Sequence, residues 1–178
     1  MLKLSDFLSH TIIENSQFPK NFEFICKNED SKFKQPGIFF LFYRGELIYI
    51  GFTNNNQHVI RERIIRQIAS ITLRDHRVLF TDLASEELRK KEELNTYFNL
   101  PVPVIGKRDF VTSVNRVVFA AYHWDEFKNF NSDTLNRFEF EWYPNPKLGI
   151  NRDIEALCNE LKNKYKPRCN KEYKYPHL

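Results

Sequence analysis

Apolar residues cluster into two short runs in the first third of the chain, separated by a two-residue break. Residues 37–43 (GIFFLFY) form the first run, Arg44-Gly45 interrupts it, and residues 46–51 (ELIYIG) form the second. Two apolar runs around a glycine-containing turn predict a β-hairpin of buried strands. Apolar residues then recur at helical spacing from Val59 to Ile68, after a polar stretch that can cap a helix. The pattern predicts strand, turn, strand and helix, with the helix ending near Leu73.

Other segments carry patterns typical of regular structure. The β-branched and aromatic run 110–124 predicts a third core strand, and aromatic residues that alternate with glutamates at 138–142 predict a strand with one wet face. The remaining predicted elements are an amphipathic helix over 2–13, a short strand over 21–26, a charged helix over 84–94 with Ser85 as its N-cap, a linker at 100–103 and a turn at 144–149.

Asn151 or Asp153 is expected to cap the last predicted helix, and Pro167 marks its end, because proline cannot continue a helix. Its apolar residues recur at helical spacing and are predicted to form a buried stripe. The stripe consists of Ile154, Leu157, Cys158, Leu161 and Tyr165.

Four short motifs occur in order between residues 37 and 170. They are Gly37-Ile38-Phe39, Tyr49-Ile50-Gly51, an arginine within Ile60-x-x-Arg63-Ile64, and Ile154-Glu155 followed by Tyr165-Lys166-Pro167-Arg168-Cys169-Asn170. In this order the motifs resemble those of the GIY-YIG nuclease family. The resemblance implies an α/β (α+β) fold with a small, mostly antiparallel three-stranded central sheet flanked by helices.

With 178 residues, the chain is expected to form a single domain over 1–178. On the resemblance, residues 36–73 hold the hairpin and helix of the nuclease core. Residues 110–178 hold the rest of that core, with the glutamate helix and a basic tail. Residues 1–35 are then an N-terminal extension and residues 84–109 a helical insertion.

The resemblance also implies a catalytic site. Arg63, with Arg61 as the second choice, would meet the scissile phosphate with a planar charged fork. Glu155 would hold Mg²⁺ or Mn²⁺, and Tyr49 would act as general base. The supporting residues are Phe39, Gly51, Gln67, which occupies the place of a family histidine, and Asn170, which would tie the loop after the last helix to the site.

Each of these residues also has a purely structural interpretation. Arginines such as Arg63 are common on exposed helices, Glu155 suits the dipole of a helix N-terminus, and Tyr49 suits a packed strand. Phe39 replaces the first motif tyrosine and has no proton to exchange. Four options follow: Tyr49 is the sole base, a metal-bound hydroxide replaces the missing phenol, Tyr43 reaches in from the same strand face, or catalysis has been lost.

A net charge of +4 and a pI near 8.9 suit a nucleic-acid partner. Basic residues crowd the end of the chain, beside the predicted glutamate helix. The residues expected to contact DNA, taken as double-stranded, are Arg61, Arg66, Lys166, Arg168 and Lys171.

Cysteine and histidine spacing argues against a disulfide framework and a zinc hydrolase. We interpret Cys26, Cys158 and Cys169 as reduced, buried thiols. The chain has no apolar run of about eighteen residues, and its amino terminus lacks the order of a signal peptide. These features predict a cytoplasmic protein without a membrane partner.

The sequence therefore predicts a divalent-metal-dependent endonuclease that cleaves DNA, of restriction or phage-defence type, with a homodimer left open. One alternative is a catalytically inactive module of the same fold that only binds nucleic acid. Another is an unrelated α/β interaction domain, in which Tyr49, Arg63 and Glu155 would not share one cleft.

Overall fold

A four-stranded antiparallel sheet organises the molecule. The computed structural model describes residues 1–13, 22–27, 33, 35–54, 60–98, 110–144 and 151–170, with the backbone alone at 151 and 152. In chain order the elements are β1 (Leu2–Lys3), α1 (Leu4–Phe7), β2 (Leu8–Ile12), β3 (Phe22–Cys26), β4 (Gly37–Tyr43), β5 (Glu46–Thr53), α2 (Ile60–Thr72), β6 (Val78–Phe80), α3 (Asp82–Arg89), α4 (Glu92–Phe98), β7 (Phe110–Thr112), α5 (Val114–Tyr122), α6 (Trp124–Phe127), α7 (Ser132–Asn136), β8 (Phe138–Pro144) and α8 (Asn151–Tyr165). The predicted mixture of helices and antiparallel strands is confirmed.

The central sheet has the strand order β1-β8-β4-β5. The predicted hairpin is confirmed as β4 and β5, which pair directly. Arg44 (φ 52°) and Gly45 (φ 79°) both adopt the left-handed conformation that the favoured two-residue hairpin turn requires. The sheet has four strands rather than the expected three, because the short β1 pairs with β8.

The two faces of this sheet meet different partners. We call the side that carries Phe39, Leu41 and Tyr49 the front face, and the side that carries Ile38 and Ile50 the back face. The front face joins the main hydrophobic core, which includes buried residues of α2 and α5. The back face packs against α8 in a smaller cluster. The sheet therefore separates the helix after the hairpin from the last helix.

The expected amphipathic helix over residues 2–13 is wrong. This segment forms β1, a single helical turn (α1) and β2, which pairs with β3. Leu4, Phe7 and Leu8 are buried, as a helical stripe would also require. A short helix is only marginally stable by itself, so pairing with two different strands outweighs its weak local preference. The predicted strand over 21–26 is confirmed as β3.

The expected third core strand over 110–124 is also wrong. Only β7 is extended, and it pairs with β6 in a small parallel sheet, whereas α5 occupies most of the segment. Residues 115–120 of α5 are all buried. A helix buried all round lacks the polar stripe that distinguishes helix from strand in a sequence. The strand beside β4 is β8, whose alternating pattern predicted it.

The charged segment 84–94 is divided between two helices, α3 and α4. The N-cap of α3 is Thr81, whose hydroxyl accepts from the Ala84 amide, and not the predicted Ser85. Both helices bury apolar side chains in the main core, Leu88 from α3 and Phe98 from α4 among them. The predicted linker at 100–103 lies outside the described residues, as does all but Pro144 of the predicted turn.

The last helix is confirmed as α8, with a narrower buried stripe than predicted. Ile154 and Cys158 are buried, Leu161 is half-buried, and Leu157 and Tyr165 are 38% and 51% exposed. One row of side chains reaches the narrow back face, so residues at the sides of that row stay in contact with solvent.

All three cysteines are free thiols, and Cys158 and Cys169 are buried while Cys26 is half-buried. Among the described residues, no helix has both the length and the apolar character needed to cross a membrane.

Candidate functional site

A polar pocket of about 300 Å³ lies on the front side of β5. Its wall combines one strand tyrosine with three arginines, and we call it the guanidinium pocket. The residues that line it are Tyr49, Arg63, Arg66, Gln67, Ser70, Phe110, Val111 and Arg116. Side chains from β5, α2, β7 and α5 therefore converge on one cavity.

The α2 side chains reach the pocket because they share one helical face. Arg66 and Gln67 lie three and four residues after Arg63, and Ser70 lies four and three residues after them, so all four share one side of the helix. Apolar residues on the other side of α2 pack into the main core. Arg61 does not line the pocket, so the structure brings Arg63, and not Arg61, next to Tyr49.

Tyr49 projects from the front face opposite Leu41. Its ring centroid lies 5.8 Å from that of Phe39, which is 1% exposed and belongs to the core. Gly51 lies opposite Phe39, and a Cβ atom at this position would overlap the Phe39 ring. Phe39 and Gly51 therefore support the position of the Tyr49 ring.

Arg116 forms the wall of the pocket next to Tyr49. Its Cζ atom lies 5.3 Å from the centroid of the Tyr49 ring, within the range of a cation–π contact. Its Nε donates to the Cys169 carbonyl (3.3 Å) and its Nη1 to the Val111 carbonyl (3.4 Å). These two bonds hold the side chain in place, and the residue is only 5% exposed.

The pocket carries positive charge, and no described residue supplies a nearby counter-ion. In the part of the chain that the structure describes, no carboxylate lies within 4.0 Å of the charged nitrogens of Arg63, Arg66 or Arg116. The Nε atom of Arg63 and the Oε1 atom of Gln67 are buried and have no hydrogen-bond partner among the described residues. An anion that entered here would meet ready donors in a partly dehydrated site.

The segment after α8, residues 166–170, closes the open edge of β5, and we call it the tail segment. The Cys169 amide donates to the Ile48 carbonyl (2.8 Å). The Asn170 side chain pairs with both backbone groups of Ile50, each at 2.9 Å. The Asn170 carbonyl accepts from Asn115 of α5 (2.5 Å). Asn170 thus ties the end of the described chain to the strand that carries Tyr49.

Glu155 is not brought into this pocket, so Tyr49, Arg63 and Glu155 do not share one cleft, which is the arrangement expected of an unrelated α/β interaction domain. It lies on α8, is exposed, and follows Ile154, which packs on the back face against Ile38 and Ile50. The described residues also contain no group of three His, Cys, Asp or Glu side chains that could hold a metal ion. Mg²⁺ takes oxygen ligands, whereas the pocket offers three guanidinium groups and no carboxylate, so its described residues do not fit a divalent cation.

Tyr43 lies on the front face but belongs to a different polar group, which we call the hairpin-end cluster: Tyr43, Arg44, Glu126 and Arg137. The Tyr43 hydroxyl donates to Glu126, which also accepts from Arg44 (2.5 Å) and Arg137. Burial and the bond to Glu126 raise the pKa of Tyr43 to about 12. A phenol with this pKa is poorly suited to act as a base near neutral pH.

The remaining basic residues predicted to contact DNA lie at or beyond the end of α8. Lys166 and Arg168 are exposed in the tail segment, and Arg168 is paired with Glu46 (3.0 Å). Lys171 lies outside the described residues.

No family model matches the chain, and no curated protein or solved structure matches it either.

Four pocket residues were not predicted from the sequence, and Arg116 is the charged one; the others are Ser70, Phe110 and Val111. A signal for it was present, because Arg116 is the only Asp, Glu, Lys or Arg between Phe110 and Trp124. A lone arginine in an apolar run must be buried with partners or point into a cavity. Because segment 110–124 was predicted to be a strand, Arg116 was not expected to lie next to the arginines of α2.

Proposed function

We propose that the chain is a cytoplasmic GIY-YIG-type endonuclease that hydrolyses phosphodiester bonds in double-stranded DNA, with a restriction or phage-defence role. One observation supports it most: Tyr49, Arg63 and Gln67, singled out by the motif resemblance, line one pocket. Residues 49 and 63 lie on different elements, so this convergence does not follow from their separation in the sequence.

The pocket side chains have roles that follow from their chemistry. Arg63 binds the scissile phosphate, because its planar guanidinium matches two phosphate oxygens at once and stabilises the charge that develops on them. Tyr49 lies beside it and exchanges the proton of the attacking water or the leaving oxygen. Gln67 cannot transfer a proton at neutral pH, so it orients a water molecule or a phosphate oxygen.

Glu155 is the residue proposed to bind Mg²⁺ or Mn²⁺, on the motif resemblance alone. The roles of Tyr49, Arg63 and Gln67 given above are assigned without it, since Glu155 does not line the pocket.

Cleavage of supercoiled and linear DNA tests the proposal. The purified protein is incubated with Mg²⁺, with Mn²⁺ and with EDTA, beside a Glu155→Gln variant whose folding is checked by circular dichroism. We expect breaks that need the metal and disappear in the variant. Breaks that persist in Glu155→Gln would remove Glu155 from the mechanism, and breaks in EDTA would remove the metal.

A silent nucleic-acid-binding module is the second candidate. It is favoured by two observations: the buried Phe39 stands where the motif has a phenol, and the described pocket has no carboxylate. The same assay separates the candidates. A salt-sensitive mobility shift without breaks in any metal, on DNA of varied sequence, favours the silent module.

A further inference from the structure

Arg116 carries a charge that no described carboxylate neutralises. Arg116 is only 5% exposed, and the two groups that accept its hydrogen bonds are neutral carbonyls. A buried charge without a counter-ion is costly, and folded proteins retain one where something else compensates it. The neighbouring arginines of the pocket add to this cost, because like charges repel.

The donors of Arg116 are only partly used. A guanidinium has five N–H groups, and the bonds to Cys169 and Val111 engage Nε and Nη1. Gln67, 9% exposed, adds a buried side chain whose Oε1 atom has no hydrogen-bond partner in the part of the chain that the structure describes. The pocket thus has a fixed guanidinium, an unsatisfied amide and a volume of about 300 Å³.

We propose that Arg116 is a phosphate-binding residue of this pocket, held over Tyr49 by the tail segment, and that it takes a backbone phosphate of the nucleic-acid substrate. The substrate part rests on the proposed function, whereas anion binding by Arg116 does not. Guanidinium is suited to this role because its charge persists at every physiological pH and its fork matches phosphate oxygens.

The tail segment determines the direction of the Arg116 side chain. The Cys169 carbonyl accepts from its Nε, and the same residue's amide is fixed to Ile48 of β5. The Val111 carbonyl holds the other side of the guanidinium. A phosphate therefore meets a donor whose orientation is set before binding, which lowers the entropy cost of association.

Thermal unfolding in phosphate and in chloride, at equal ionic strength and pH, tests anion binding. The quantity compared is the rise in Tm that phosphate causes, so each variant serves as its own reference. A ligand that binds only the folded state stabilises it. We expect phosphate to raise the Tm of the wild type, to have no effect on Arg116→Met, and to act normally on Arg89→Met, an exposed arginine on α3.

A second variant keeps the test valid if Arg116→Met does not fold. Gln67→Glu places a carboxylate in the pocket, so it should raise the Tm in chloride and remove the effect of phosphate. An equal phosphate effect in the wild type and in both pocket variants, or no effect in the wild type, would overturn the proposal.

Affinity for a short DNA duplex in EDTA identifies the source of the phosphate. We expect Arg116→Met to weaken DNA binding about tenfold, as for loss of a charge-assisted hydrogen bond, and to lower the salt slope by about one. Phosphate binding that depends on Arg116, combined with unchanged DNA affinity, would overturn the substrate assignment. Metal-dependent cleavage unaffected by Arg116→Met would refute the phosphate-binding role of Arg116 and leave the nuclease proposal intact. DNA binding that needs Arg116, without cleavage in any metal, would support that role and refute the nuclease proposal.

Discussion

The β4-β5 hairpin places two front-face tyrosines among arginines, Tyr43 beside the turn and Tyr49 in the middle of β5, with opposite electrostatic results. In the hairpin-end cluster, Arg44 and Arg137 share the carboxylate of Glu126 with Tyr43. In the guanidinium pocket, Tyr49 lies among arginines that have no carboxylate partner in the described residues. Both arginines of the first group pair with a carboxylate, whereas those of the second have none among the described residues.

This difference separates a structural cluster from a binding site. A carboxylate that accepts from several donors gains more than the exposed ion pairs that usually contribute little. The hairpin-end cluster therefore stabilises the fold, and both of its arginines are already paired with Glu126. The guanidinium pocket gains little stability from its arginines, and its uncompensated charge is available to an anion.

The largest expected effect comes from removing Arg63. Arg63→Ala should reduce the rate of DNA cleavage roughly 10²–10³-fold, as when one donor to a developing charge is lost. The matched control is Arg137→Ala, which should leave cleavage unchanged because the hairpin-end cluster is separate from the pocket. Initial rates on plasmid DNA measure both. A larger loss for Arg61→Ala than for Arg63→Ala would show that the phosphate residue has been misassigned on α2.

A smaller effect is expected when the shared carboxylate is removed. Glu126→Gln should lower the free energy of unfolding at neutral pH by about 1 kcal/mol, because three donors lose a charged acceptor in a partly exposed network. Urea denaturation measures the difference, and cleavage should stay unchanged. A stability equal to that of the wild type would mean that this cluster contributes as little as an isolated surface pair.

The smallest effect is the pH dependence of the difference in unfolding free energy between the wild type and Glu126→Gln. Partial burial raises the pKa of Glu126, but hydrogen bonds from Tyr43 and Arg137 outweigh it, so the pKa lies below its ordinary value of 4.5. The folded state then favours the ionised form, and its contribution is present above pH 4.5 and lost as the pH falls through the lower folded pKa. The wild type and Glu126→Gln should therefore converge in stability at acid pH. Divergence there would contradict the sign of the shift.

The elements that could be predicted from sequence are those whose local signals agree. The hairpin combines two apolar strands with Arg44-Gly45, and β8 alternates aromatic residues with glutamates. Segments 2–13 and 110–124 were misassigned because tertiary contacts decide them: β1 and β2 pair with distant strands, and α5 is buried all round. Local propensity carries no information on pairing with distant strands or on burial of a helix from all sides.

The candidate site divides in the same way. The motifs identified Tyr49, Arg63 and Gln67, which share the pocket, and Glu155, which does not line it. Arg116 could not be placed from sequence, because its position depends on α5 packing against α2 and on the Cys169 carbonyl. No spacing rule relates a residue on α5 to a carbonyl beyond α8.

The tail segment makes one backbone amide a reporter for its own docking. The amide of Ile50 donates to the side chain of Asn170, 120 positions later in the chain, and not to a neighbouring strand. Undocking of the tail would expose this hydrogen to solvent while the rest of the sheet stays folded. Its exchange with deuterium therefore measures the free energy of that local opening, separately from the free energy of global unfolding. A protein labelled at this one position would tell whether the tail is seated before or only after an anion arrives.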